Sequence, residues 1–277
     1  MQHKKITIGS TIIFIILVFF AIMCLYPIIW LLLNSFKTNS ELFADPWGLP
    51  SALHWDNYTR AIISGNIGRS FINSVVITLI AVFTAVLLSA MASYGLTRLD
   101  WKLSGTARSL FLLGMSIPSY AAIVPLFTMF NRMGMLDSYL GVTIAHIAFA
   151  FPISIFILSG FFSTLPREIE EAAIMDGCSV LRGFFQIIFP ISMSSIVTVA
   201  VIDFINIWND LLFPQIFLSD PDTMPLPVSL TLFADLDGVD YVGMLAAVIF
   251  TIIPTIIVYI ILHERIMEGM TAGAVKG

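Results

Sequence analysis

Two carboxylates inside an otherwise apolar run have the most capacity for chemistry in this chain. Asp203 and Asp210 lie within residues 191–213. A carboxylate at mid-bilayer costs roughly 2.5–3.5 kcal/mol, so each must face a bundle interior or a wet cavity. With Asn206 they fall at i, i+3 and i+7, one stripe of one helix. Such a stripe can line a polar path, or it can lock neighbouring helices through hydrogen bonds; the spacing allows both. Counted from Pro190, Asp203 lies about 20 Å along the axis and Asp210 about 10 Å farther, so the stripe runs from mid-membrane towards one face. Carboxylates at this depth also suit proton or sodium binding. Trp208, nearly opposite on the wheel, reads as an interfacial anchor. His146 stands by itself in another apolar run, a bundle-facing histidine, since a metal would need partners the sequence does not supply. The chain carries no G-x-x-x-x-G-K-[ST], H-E-x-x-H or nucleophile elbow, so no catalytic or metal-ligating residue is assigned.

A second group of residues has the opposite character. The segment 165–190 holds six charged residues in 26, against two in the apolar run that follows. Pro166 suits the first turn of a helix, and Glu168, Glu170 and Glu171 complement its positive end. Ile169, Ala172 and Ala173 give one small, flat face. After Asp176, Gly177 can adopt φ > 0 and end that helix, and Ser179 can cap a second one running to Pro190. The spacing predicts a helix–turn–helix elbow outside the membrane.

The elements that position both groups are long apolar helices. The 277 residues are 58% hydrophobic and 11% charged, with a mean hydropathy of +0.96. Soluble domains carry about 25% charge, so the composition predicts a multi-spanning, all-α membrane protein in contact with lipid. Six candidate spans follow: 11–33, 71–96, 103–130, 139–162, 191–213 and 241–262. The first, at 23 residues, exceeds a signal-peptide core and is read as retained. Placing both termini in the cytoplasm puts nine basic residues inside and four outside, which satisfies the positive-inside rule and turns the elbow towards the cytoplasm. Pro27, Pro118, Pro125, Pro152 and Pro254 predict bent spans. Residues 37–70, with Trp47, Trp55 and Tyr58, are expected to be structured and outward. Residues 215–240, with five aspartates and no basic residue, read as a solvated outer loop. Three segments result: 1–70, a first span and outer loop; 71–265, the core with the elbow; and 266–277, a tail. A net charge of −5 offers no footprint for nucleic acid. Cys24 and Cys178 are too far apart in this topology to pair.

The elbow also carries a resemblance. Glu171-Ala172-Ala173, three residues, Gly177, nine residues, then Ile187-x-Phe189-Pro190 resembles the EAA-x3-G-x9-I-x-LP loop of the membrane subunits of binding-protein-dependent ABC importers, with Phe189 in place of leucine. Trp208-Asn209-Asp210 is similar to the WND segment of sugar-importer permeases. The tail Glu268–Gly277, which taken alone would pass for a frayed end, resembles the end of the second permease of maltose-type importers. This resemblance implies a type I ABC importer permease fold in the inner cell membrane. Its elbow is the cytoplasmic coupling helix, docking on an ATPase through Glu170, Glu171, Ala172, Ala173, Asp176, Gly177 and Pro190. It further implies a tail, Gly273, Ala274 and Lys276, inserted between two ATPase subunits, and a loop at 215–240 that reaches a sugar-binding protein. Implied partners are a second homologous permease, two ATPases, an extracytoplasmic binding protein and a carbohydrate of the oligosaccharide class. ATP and Mg would sit on the ATPase, with no cofactor on this chain. The alternative is an ion-coupled secondary transporter using Asp203 and Asp210.

Overall fold

In a bilayer every backbone N–H and C=O must find its partner within the segment, so long apolar runs fold as helices. The computed structural model describes residues 8–235 and 238–274. In chain order the helices are α1 (Ile8–Asn34), α2 (Asn39–Ala44), α3 (Asp56–Ser64), α4 (Ile67–Thr97) and α5 (Ser104–Leu113), the last continued by a 3-10 turn, Gly114–Ser116. Then come α6 (Ser119–Met133), α7 (Tyr139–Phe162), α8 (Glu168–Met175), α9 (Val180–Gly183), a π-helical turn Phe184–Ile188, α10 (Phe189–Ile191), α11 (Met193–Trp208) and α12 (Leu212–Phe217). The chain closes through α13 (Leu226–Ser229), a 3-10 turn, a two-stranded hairpin of β1 (Ala234–Asp235) and β2 (Gly238–Val239), and α14 (Tyr241–Ala274).

Among the described residues four helices, α1, α4, α7 and α14, are long and apolar enough to cross a membrane alone. Two bent helix pairs pass the same test together, which gives the expected six if each pair is one span. The expected third span is broken by 101° between Ser116 and Ser119. Pro118 drives Ile117 out of the helical region to φ −84°, ψ 110°, as a proline does to the residue before it. The other pair joins Val180–Ile191 to Met193–Trp208 across a 79° bend at Ser192, which sits in the bridge region at φ −89°, ψ 9°; the expected span 191–213 is only its second arm and ends at Trp208. Pro27, Pro125, Pro152 and Pro254 remain inside helices.

The chain divides into two compact units. The first comprises Met1–Ile67 and Leu230–Phe250. Its loop region is tied down by a set of polar groups. Asn57, buried, donates to the carbonyls of Ser35 and Lys37 at 2.7 and 2.8 Å. The ammonium of the buried Lys37 donates to the Asp45 carbonyl at 2.8 Å, and the Trp30 indole to that of Pro46 at 2.8 Å. Asp240 accepts from Arg60 and Asn39. Asn57→Ala leaves two buried carbonyls without donors, at about 1–3 kcal/mol each. The expected outcome is a loop region cut by protease at concentrations that spare the unsubstituted protein.

The second unit comprises Gly68–Ser229 and Thr251–Gly277. One core joins Val86, Ala90 and Tyr94 of α4 to Leu158 and Phe162 of α7, Phe184 and Ile188 of the π turn, and Ile196 and Val199 of α11. Another gathers Ile77, Phe130, Val142 and Ala145 around Phe213, Phe217 and Leu218. Two expectations are corrected here. Trp208 is no interfacial anchor: it is 2% exposed, its indole donates to the Thr251 carbonyl at 3.0 Å, and its ring stacks on Phe204. Residues 215–240 are not simply a solvated loop. Leu226 and Val228 are fully buried, and Asn73 of α4 donates to the carbonyls of Asp222 and Met224.

Candidate functional site

The elbow forms as its residues dictate. Helix α8 starts at Glu168, so Pro166 lies just ahead of the N-cap Arg167 rather than in the first turn, which holds all three glutamates. Gly177 has φ +79°. Its N–H bonds the Ile174 carbonyl and that of Cys178 the Ala173 carbonyl, both at 2.9 Å, the paired bonds of a Schellman motif. Ser179 then caps α9, accepting from the Arg182 N–H. Pro190 has no N–H for the helical ladder, and ahead of it the Phe189 N–H reaches the Phe184 carbonyl, five residues back, in a π turn. The elbow is therefore continuous with the bent span that ends in α11.

The elbow's side chains divide by direction. Glu171, Ala172, Asp176 and Gly177 are exposed, as are Ile174 (62%) and Met175 (86%); Ala173 is half-buried. Glu171 has no partner among the described residues, which leaves its charge free. Glu170 turns inward instead. Its Oε2 lies 2.6 Å from Nε and 2.5 Å from Nη2 of Arg98, a side chain only 3% exposed. The remaining guanidinium protons reach the carbonyls of Leu165 at 2.8 Å, Phe162 at 3.3 Å and Pro166 at 3.1 Å. Sequence reasoning counts Arg98 only as one of nine inward-facing charges. The signal available was a single arginine following an apolar helix, 72 residues from its partner.

The polar stripe and His146 meet in a cleft of about 280 Å³. Asp203 is almost fully buried, and its carboxylate takes a forked hydrogen bond from the Ser154 hydroxyl at 2.9 and 3.1 Å, joining α11 to α7. Asp210 lies beyond the end of α11 and is not on its helical stripe; its carboxylate accepts from the N–H groups of Leu212 and Phe213, fixing the first turn of α12. His146, buried, has Nδ1 3.9 Å from Asp210 Oδ2, beyond hydrogen-bonding distance, and its ring meets Phe213 edge-on. Asn206 is exposed on the cleft wall and has no side-chain hydrogen bond among the described residues. Those residues include no group of three His, Cys, Asp or Glu able to hold a metal. Of the tail, Gly273 and Ala274 close α14, whereas Lys276 lies outside the described residues.

Known proteins resemble this chain in sequence and in fold. The sequence profile of the binding-protein-dependent transport system inner membrane component matches residues 85–270. The trehalose transport system permease protein of Mycobacterium tuberculosis is 35% identical over 91% of this chain and 93% of its own. The diacetylchitobiose uptake system permease protein of Streptomyces coelicolor is 32% identical over 94% and 87%. Among solved structures, a chain of a bacterial ABC transporter involved in import of the acidic polysaccharide alginate superposes with a TM-score of 0.78 at 21% identity, over 94% of this chain and 99% of that one, a likeness of fold. The elbow, the apolar helices and the profile agree, and the chain belongs to the family of binding-protein-dependent transport system inner membrane components.

Proposed function

We propose that this chain is the permease subunit of an ATP-driven carbohydrate importer, with oligosaccharides as the substrate class. The observation that carries the reading is the direct run from an exposed elbow, through the π turn and the 79° bend, into α11, which walls the polar cleft. A force applied to the elbow is thereby delivered to the helix beside the cleft. Relatives named for trehalose and diacetylchitobiose supply the substrate class. Family membership makes the chain a non-catalytic, multi-pass membrane subunit, and sets aside the ion-coupled alternative.

In this reading the elbow faces the cytoplasm, with both termini on that side. Glu171 offers its free charge to a basic group on the ATPase, while Ala172 and Ala173 allow close approach. Asp176 and Gly177 set the turn, Pro190 sets the bend, and Glu170 braces the elbow from within. The tail, Gly273, Ala274 and Lys276, reaches the ATPase pair. Asp203 holds α11 to α7 behind the cleft, and Asn206 and Asp210 present polar groups to the passing sugar. A second, related permease completes the path, two ATPases carry ATP and Mg, and an extracytoplasmic binding protein delivers the sugar.

The test is reconstitution of the chain with its neighbouring-gene partners in liposomes. Uptake of labelled oligosaccharides is expected to require ATP and the binding protein and to persist with an ionophore. Uptake that collapses with the ionophore and continues without ATP overturns the reading.

A further inference from the structure

We infer that Arg98 is a positioning residue for coupling: it clamps the elbow to the ends of two membrane helices, so that α4, α7 and α8 move as one body. The inference rests on the elbow's role as a lever, but concerns a residue outside it.

Arg98 follows the last residue of α4, held there by its own N–H to the Tyr94 carbonyl at 2.9 Å. From that point one guanidinium serves two further elements. Two of its nitrogens grip the Glu170 carboxylate in the first turn of α8. The third, Nη1, bonds the carbonyls of Phe162 and Leu165, and Nη2 also reaches that of Pro166, where α7 ends and the linker to α8 begins. Phe162 is the last residue of α7, where the negative pole of the helix favours a cation, and the other two carbonyls belong to the linker. A planar fork with five donors can hold all of them in one orientation; an ammonium on a flexible stem cannot. Burial to 3% makes the arrangement costly to break, since either charge left without the other would be stranded out of water. The neighbouring pair, Arg167 with Asp100, shows the contrast: both side chains are more than half exposed and the contact contributes little. The elbow therefore has two mechanical connections. The π turn leads to α11, and the Arg98 clamp leads to α4 and α7.

The experiment uses the complete transporter in liposomes. Arg98→Lys keeps the charge and loses the fork; Glu170→Gln keeps an acceptor and loses the charge. Each is expected to lower sugar taken up per ATP hydrolysed by about tenfold. The double variant should be no worse than the weaker single, because both act on one clamp. A merely structural role would lower the amount of assembled complex without changing that ratio. Independently, spin labels at Leu99→Cys and Met175→Cys, with Cys24 and Cys178 changed to serine, are expected to keep one separation in the nucleotide-free and ATP-bound states. An unaltered uptake-to-ATP ratio in both single variants, or labels that move apart during the unsubstituted cycle, overturns the inference. Failure of the importer reading is distinguishable, because the unsubstituted complex would then show no ATP-driven uptake at all.

Discussion

Gly177→Val is expected to leave the chain in the membrane and assembled with its partners, yet to reduce uptake at least tenfold while ATP hydrolysis continues. The reason is conformational. A Cβ at Gly177 would meet nothing within 4 Å, so no clash follows. The backbone, however, sits at φ +79°, where an L-residue pays about 1–2 kcal/mol and a β-branched one more. That strain falls on an exposed turn outside both apolar cores, where it is relieved by re-aiming the chain rather than by unfolding it. Losing the paired bonds to the Ile174 and Ala173 carbonyls changes the angle between α8 and α9, and with it the direction in which a push on α8 reaches α11. The series should be graded: Gly177→Asn mildest, Ala intermediate and Val worst, in the order of tolerance for a left-handed backbone. Parallel assays of sugar uptake and ATP turnover in proteoliposomes check this. Normal uptake by the valine variant would sink the lever.

Features coded within a few residues were legible in the sequence. Gly177, Ser179 and Pro190 act through their own backbone preferences, and the structure has a left-handed turn, a cap and a π turn at those places. Apolar runs marked the spans for the same reason. What escaped depended on a partner distant in the chain. Glu170 and Glu171 look equivalent in the sequence, but one helix position apart they face Arg98 and open surface respectively. Trp208 looked like an anchor because tryptophan suits the interface; its buried place is decided by Thr251, 43 residues away. The i, i+3, i+7 spacing carries the stripe to Asp210 only where the helix continues, whereas α11 stops at Trp208 and the carboxylate takes up the start of α12. Pro118 was visible as a kink, but whether a proline bends a helix or ends it depends on the packing around it.

Asn206→Trp is expected to block uptake about as completely as the valine at the turn, by a different route. Asn206 is exposed and without a side-chain partner, so an indole there breaks no hydrogen bond and fills no packed core. It would occupy much of a cleft of about 280 Å³, beside His146 and Phe149. Assembly should be unchanged, and ATP hydrolysis should lose its stimulation by loaded binding protein. Asp203 supplies the control. Asp203→Asn keeps an acceptor for the Ser154 hydroxyl, so the joint between α7 and α11 survives and uptake should stay within about twofold. Asp203→Leu leaves the fully buried Ser154 hydroxyl without a partner, at about 1–3 kcal/mol, and should lower the melting temperature together with uptake. An ion-coupled protein would behave in reverse. Removing the titratable carboxylate in Asp203→Asn would stop transport, and bulk at Asn206 would matter less than charge at Asp203. Full uptake by the tryptophan variant would mean that the sugar passes elsewhere, and the cleft would then be packing space between α7 and α11 rather than a path.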